Sequence, residues 1–138
     1  MEPRSLDDDL RKLHDAEWHL VVMDRETNSL RIGFTGEDKI NIELMFTNVT
    51  TFKINNILYQ NIVSRAMSSD GILDLKKIKE ITRWTCSGSN NDLLISEENF
   101  DSILKKIYSK DLILFYIDPS WGAEAGVIAG TITISKSN

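Results

Sequence analysis

His14, Asp15, Glu17 and His19 crowd one short stretch of this 138-residue chain. Side chains of these types bind transition metals when they converge. Four-coordinate zinc, however, draws on Cys pairs or on His pairs at helical spacing, and the i, i+5 separation of His14 and His19 matches neither pattern. That spacing falls across a helix-to-strand junction, so His14 and Asp15 are expected to shape the junction through hydrogen bonds, and no metal is expected. Cys86 is the only cysteine, which rules out an internal disulfide. It carries no nucleophile signature and reads as a small buried hydrophobe. No serine sits in a Gly-x-Ser-x-Gly elbow. The acid clusters Asp7-Asp8-Asp9 and Glu97-Glu98 stand at helix starts, where the helix dipole accounts for them. No catalytic residue and no cofactor emerge, so the chain is not expected to be an enzyme.

Gly122, Gly126 and Gly130 recur every four residues. The segment is too short for a membrane helix and contains Glu124, and no helical pattern follows it as a dinucleotide loop would require. It predicts a glycine-rich strand that lets another backbone or a bulky ring approach closely, with Trp121 as that ring or as an exposed interface anchor. Lys76, Lys77, Lys79 and Arg83 make one basic helix face; Lys105, Lys106 and Lys110 make another. Neither is accompanied by a helix-turn-helix or an aromatic RNA-binding pattern, so solvated helix faces are expected and no direct nucleic-acid partner.

These residues need elements to hold them. Ser5 is placed to cap a helix over 6–13, with Leu6, Leu10 and Leu13 on one stripe. The period then becomes two: Trp18, Leu20 and Val22; Leu30, Ile32 and Phe34; Ile40, Ile42, Leu44 and Phe46; and, after Asn48, Thr50, Phe52 and Ile54. This predicts a four-strand antiparallel meander with one apolar face. Residues 55–70 are ambiguous. Asp74 caps a helix to about Thr85 with Leu75, Ile78 and Ile81 inward, and 87–92 form a loop. Ser96 caps a second helix with Phe100, Ile103, Leu104 and Ile107 on one face. Strands over about 111–117 and 125–135 finish the chain, joined by a turn at 118–122. Strands followed by helices without βαβ alternation predict an α+β fold: a curved antiparallel sheet of about six strands, its apolar face covered by two to three helices, in a single domain over 1–138.

Charged residues make up 27% and hydrophobic residues 41%, which argues against global disorder. No apolar run approaches the roughly 18 residues of a membrane span, and the first residues resemble no signal peptide, so a cytoplasmic protein with no membrane partner is expected. Residues 1–45 hold eleven acids against six bases, the whole formal charge of −5; the remainder is balanced. Such an asymmetry steers a basic partner.

Three stretches then take on meaning together: Leu13-His14-Asp15-Ala16-Glu17, Gln60-Asn61-Ile62-Val63 and Asp118-Pro119-Ser120-Trp121-Gly122-Ala123-Glu124. In this order they resemble small bacterial proteins that look like immunity proteins of contact-dependent and other polymorphic toxin systems, the CdiI type. The resemblance implies a protein that binds a cognate toxin C-terminal domain, commonly a basic nuclease, and blocks its active site or substrate surface. It assigns His14, Asp15, Gln60, Asn61, Pro119, Ser120, Trp121 and Gly122 to a shared scaffold. Asp7, Asp8, Asp9, Glu37 and Asp38, at a helix start and a hairpin turn, are the residues expected to contact the partner. The alternative is a non-catalytic assembly module, such as a homo-oligomer, without a toxin partner.

Overall fold

The computed structural model describes residues 6–71 and 73–137. Helix α1 (Leu6–Leu10) runs into a 3-10 turn (Arg11–Leu13). Strands β1 (Glu17–Asp24), β2 (Ser29–Thr35), β3 (Asn41–Asn55) and β4 (Ile62–Ser68) follow, then helices α2 (Leu75–Thr85) and α3 (Glu97–Tyr108), then β5 (Ile113–Trp121) and β6 (Glu124–Ser137). The α+β class, the six antiparallel strands and the three helices match the sequence reading. The sheet order is β1-β2-β3-β6-β5-β4, and β4 returns to β1, so the curved sheet closes into a barrel.

Closure changes what covers the apolar face. The inward residues of the strands cover one another. Phe34, Phe46 and Phe115 fill the interior with Leu30, Ile32, Leu44, Val63 and Val127, and the Phe46 and Phe115 rings lie 5.2 Å apart. The helices instead cover the outside of β5 and β6. Leu114 and Ile128 point outward, opposite to Phe115 and Val127, and form a second core with Ile78, Phe100, Leu104 and Ile107. Both helix caps are as read: Asp74 accepts from the Lys77 amide and Ser96 from the Asn99 amide. Ser5 lies outside the described residues, while Leu10 and Leu13 are buried as the stripe predicted.

Several local expectations fail for identifiable reasons. The meander has three strands, because β3 continues through Asn48. Asn48 takes a left-handed φ of 52° and the β6 register shifts between Val49 and Thr51, so a residue with a turn signature bends the strand rather than ending it. Leu75 begins α2 but is 67% exposed, its first-turn position pointing past the second core. The expected turn at 118–122 is mostly strand, since β5 runs to Trp121 and Pro119 pairs opposite Val63. The ring that packs on the glycine strand is Trp84, not Trp121. A Cβ at Gly126 would overlap the Thr85 hydroxyl and stand 3.2 Å from Trp84 Cζ3. Lys53 on β3 holds this end of α2. Its ammonium donates to the carbonyls of Trp84 (3.2 Å) and Gly88 (3.1 Å) and sits 4.7 Å from the Trp84 ring centroid.

Gly126→Val should therefore force α2 away from β6 and destabilise the protein by about 1–3 kcal/mol. Urea denaturation followed by tryptophan fluorescence reads the loss. An unchanged midpoint would show that α2 does not depend on this close approach.

Candidate binding surface at the barrel seam

The barrel closes along a seam between β4 and β1, and the three motif stretches meet there. On its β4 side the seam is sealed by the N-terminal segment. Asp15 adopts a left-handed φ of 62°, which turns the chain so that its amide donates to Val63 O (2.9 Å) while the Val63 amide donates to Ala16 O (3.0 Å). The His14 Nδ1–H donates to Ser64 O at 2.7 Å. One turn earlier, Asp7 Oδ1 accepts from the Ser68 amide (2.9 Å) and hydroxyl (2.6 Å). Asp7 is 3% exposed, so it is a structural acceptor and not the partner contact expected of it. His14 and Asp15 do shape the helix-to-strand junction. The Ser64 carbonyl and the Asp15 carboxylate, 3.4 Å from Nε2, raise the His14 pKa above its ordinary value.

Asn61 holds the middle of the seam. Its buried amide oxygen accepts from the amides of Leu58 and Ala123, both at 3.0 Å, and its nitrogen donates to Leu58 O at 2.9 Å and Trp18 O at 3.5 Å. One side chain thus ties β1, the 56–61 loop and the β5–β6 turn. The backbone of that turn runs so close to it that a Cβ at Gly122 would overlap the Asn61 oxygen and stand 2.9 Å from Gln60 O, and Gly122 has φ +85°. Ser120 Oγ donates to Ile62 O at 3.3 Å. Gln60 belongs to the same loop and is exposed. The motif residues therefore converge on the seam; Gln60 and Trp121 are exposed beside it, Trp121 to 58%.

The β1 side of the seam is open. β1 pairs with β4 only at Glu17–Ile62, with the Trp18 amide adding a bond to Asn61 O (2.8 Å). The β1–β2 register then shifts between Trp18 and Leu20, and beyond that bulge β2 is the only strand beside β1 among the described residues. Leu20, Val21 and Met23 are exposed along this edge. Across a gap of about 520 Å³, Ile57 and Leu58 are exposed as well, and Tyr59 is fully exposed. The alternation of β1 puts Leu20 on the apolar face with Trp18 and Val22, and nothing in it marks Leu20 as exposed. The signals that could have done so are Asn56, which takes φ 63° and ends β3, and the uncharged run from Asn55 to Asn61.

The other acids expected as contacts are at least partly exposed. Glu37 and Asp38 are exposed on the β2–β3 turn; Asp38 accepts from the Ile40 amide (3.1 Å), and Glu37 contributes to raising the His14 pKa. Asp8 and Asp9 are partly exposed on α1, with Asp8 3.8 Å from Arg11. His19 does not join His14: its Nε2–H donates to Thr35 Oγ1 (2.7 Å), which donates on to Asn41. Among the described residues no three His, Cys, Asp or Glu side chains converge to hold a metal ion. Cys86 is buried, and burial pushes its thiol pKa up.

Beyond the β5–β6 turn lies a cleft of about 470 Å³ between α2 and strands β4 to β6. Its bases are both paired, Arg65 with Asp118 at 3.8 Å and Lys77 with Glu80 at 3.6 Å. Tyr116 donates to Glu124, and burial together with that carboxylate holds the phenol pKa well above its ordinary value. The phenol stays protonated, so it serves as a hydrogen-bond donor rather than a base. No helix is long and apolar enough to cross a membrane among the described residues.

Among solved structures, the chain is similar to an uncharacterized protein from Neisseria gonorrhoeae, with 12% identity, a TM-score of 0.42, and coverage of 88% of this chain and 91% of that one. No family model and no curated protein matches the chain.

Two outcomes follow from the seam. Asn61→Ala leaves the Leu58 and Ala123 amides without their acceptor, at about 1–3 kcal/mol for each group that stays buried and unpaired. Asn61→Asp keeps the acceptor but sets a carboxylate oxygen where the nitrogen donates to Leu58 O, and buries a charge, so near neutral pH it should lose at least as much as alanine in urea denaturation; stability near that of the native chain would show that the acceptor alone holds the seam. For His14 the folded pKa is raised, so its contribution is full below the unfolded value of about 6.5 and is lost as pH rises through the higher folded value. The stability gap between the native chain and His14→Gln should therefore be larger near about pH 6 than near about pH 8. A gap that widens with pH would reverse the assignment.

Proposed function

We propose that the chain is a cytoplasmic immunity protein that binds and neutralises a basic toxin domain, with the open side of the seam as its contact surface. The observation that carries this reading is the group of exposed apolar residues on β1 and the facing loop, Leu20, Val21, Met23, Ile57, Leu58 and Tyr59, which are six of the ten large hydrophobics exposed among the described residues. An exposed apolar patch rimmed by polar residues marks an interaction site, and Tyr and Trp are favoured as its anchors. Asp15, Glu17, Asp24, Glu26, Glu37 and Asp38 lie on the elements around it. Acids in such positions speed the approach of a basic nuclease domain, and a bound protein of this size blocks its substrate surface. The resemblance of the three motifs to immunity proteins supports the same reading. It also explains why those motifs are scaffold, since a family facing diverse toxins needs a constant frame and a changeable rim.

The test is a binding titration against the toxin C-terminal domain encoded immediately upstream, with toxicity read in parallel. Tight one-to-one binding that abolishes toxicity is expected. Tyr59→Ala, at a fully exposed position, should weaken binding by about 30-fold if it anchors the contact, the equivalent of about 2 kcal/mol. Reversing Glu37 and Asp38 to Lys should slow association and flatten its salt dependence while leaving dissociation nearly unchanged. No binding to a folded, active toxin domain would reject the immunity role in favour of the assembly module, for which the same open edge offers a self-association surface.

A further inference from the structure

We infer that the partner is bound by strand addition: an extended, basic segment pairs with the open edge of β1 from Leu20 to Asp24 and is clamped at its Leu20–Val21 end by Ile57–Tyr59. This rests on the protein-binding reading above and specifies its mode.

The two edges that meet at the seam are treated differently. The β4 edge is consumed by Asp7, His14, Asp15 and Ala16, which bond to Ser68, Ser64 and Val63. The β1 edge beyond Trp18 has one side-chain bond of this kind, from Trp18 Nε1–H to Leu20 O at 3.1 Å. Soluble proteins protect free edges with lysines, prolines, inward charges or a covering loop. Leu20-Val21-Val22-Met23 has no charge and no proline, and its residues favour strands. Five residues from Leu20 to Asp24 span about 17 Å at a strand's rise of ~3.4 Å per residue, the length of an ordinary strand. A gap of about 520 Å³ opens at the start of this edge, with Glu17 to Val21 of β1 as one wall and Ile57, Leu58 and Tyr59 on the other, so a strand that pairs with the edge gains main-chain bonds from β1 and, at its Leu20–Val21 end, apolar contact from both walls.

Charge selects the occupant. Residues 14–26 hold Asp15, Glu17, Asp24 and Glu26 against a single base, Arg25, and the facing wall from Asn55 to Asn61 carries no charge. A second copy pairing edge to edge would bring two net-acidic segments side by side. A strand with lysine or arginine at alternate positions would place them opposite carboxylates at both ends of the edge.

The experiment selects a random dodecapeptide display library on the full chain, then measures backbone amide exchange with the enriched peptides bound. Enriched peptides are expected to carry basic residues at alternate positions and to slow exchange at amides between Leu20 and Asp24. Val21→Lys, at an exposed position, should weaken their binding by about tenfold or more through like-charge repulsion. Val22→Pro should do the same by breaking the edge, and unchanged exchange at β5 and β6 shows that each variant is folded. Neutral or acidic binders, binders that protect another surface, or failure to enrich any peptide would overturn the proposal. So would slow exchange at the edge of the free protein that is lost on dilution, which would make a second copy the occupant. The toxin titration separates this from the function itself: toxin bound without protection of 20–24 removes strand addition and leaves immunity, while basic strands bound without toxin does the reverse.

Discussion

A buried amide with four hydrogen-bonding obligations leaves little freedom to what surrounds it. Asn61 is 6% exposed, and its oxygen and nitrogen satisfy backbone groups of Leu58, Ala123 and Trp18. Its position fixes where the β5–β6 turn passes, which in turn demands a glycine at 122. It also fixes where β1 meets β4, and therefore where the barrel can close. A buried network of this kind is worth keeping only when all its members are satisfied, and here they are.

The same constraint limits closure to one end. Because β1 and β4 are pinned together at Glu17–Ile62 and held by Asn61, the chain around His14–Asp15 can fold back along β4 but cannot also follow β1. One edge is stitched shut and the other diverges. The bulge between Trp18 and Leu20 completes the divergence. Exposed apolar side chains on β1 and on the 57–59 loop are thus a consequence of how the barrel is fastened. The acids needed for stability and those available to a partner separate in the same way: Asp7 is buried in the fastening, whereas Glu37 and Asp38 stand free of the core on a hairpin turn.

Much of this was legible in the sequence. Period-two and helical patterning gave β1, β2, β3, β5 and β6, both long helices and their Asp74 and Ser96 caps, because each is set by local chemistry, whereas β4 lay hidden in the ambiguous stretch 55–70. Burial was harder. Leu20 looks like core by pattern, and Val21 and Met23 fall on the opposite face, yet all three are exposed beside an edge to which no strand arrives to pair. Asn48 has a turn residue's identity, but the pairing of Thr47 and Val49 on either side of it with the long β6 keeps β3 continuous. Asp7 looked like a projecting carboxylate because nothing near it in sequence announces Ser68 as its partner. The motif residues His14, Asp15, Asn61 and Gly122 do meet at the seam and bond or pack within it, whereas Tyr59 and Ile57, within an ambiguous stretch, were missed as surface.

The asymmetry of the seam is the central claim, and backbone amide exchange of the free protein tests it most directly. Slow exchange is expected at the Val63 and Ser68 amides, which the N-terminal segment engages, and at Trp18. Fast exchange is expected at the outward-facing amides between Leu20 and Asp24, independent of protein concentration. Protection running evenly along β1, equal to that of β4, would contradict the account, because it would mean that the open edge is already filled.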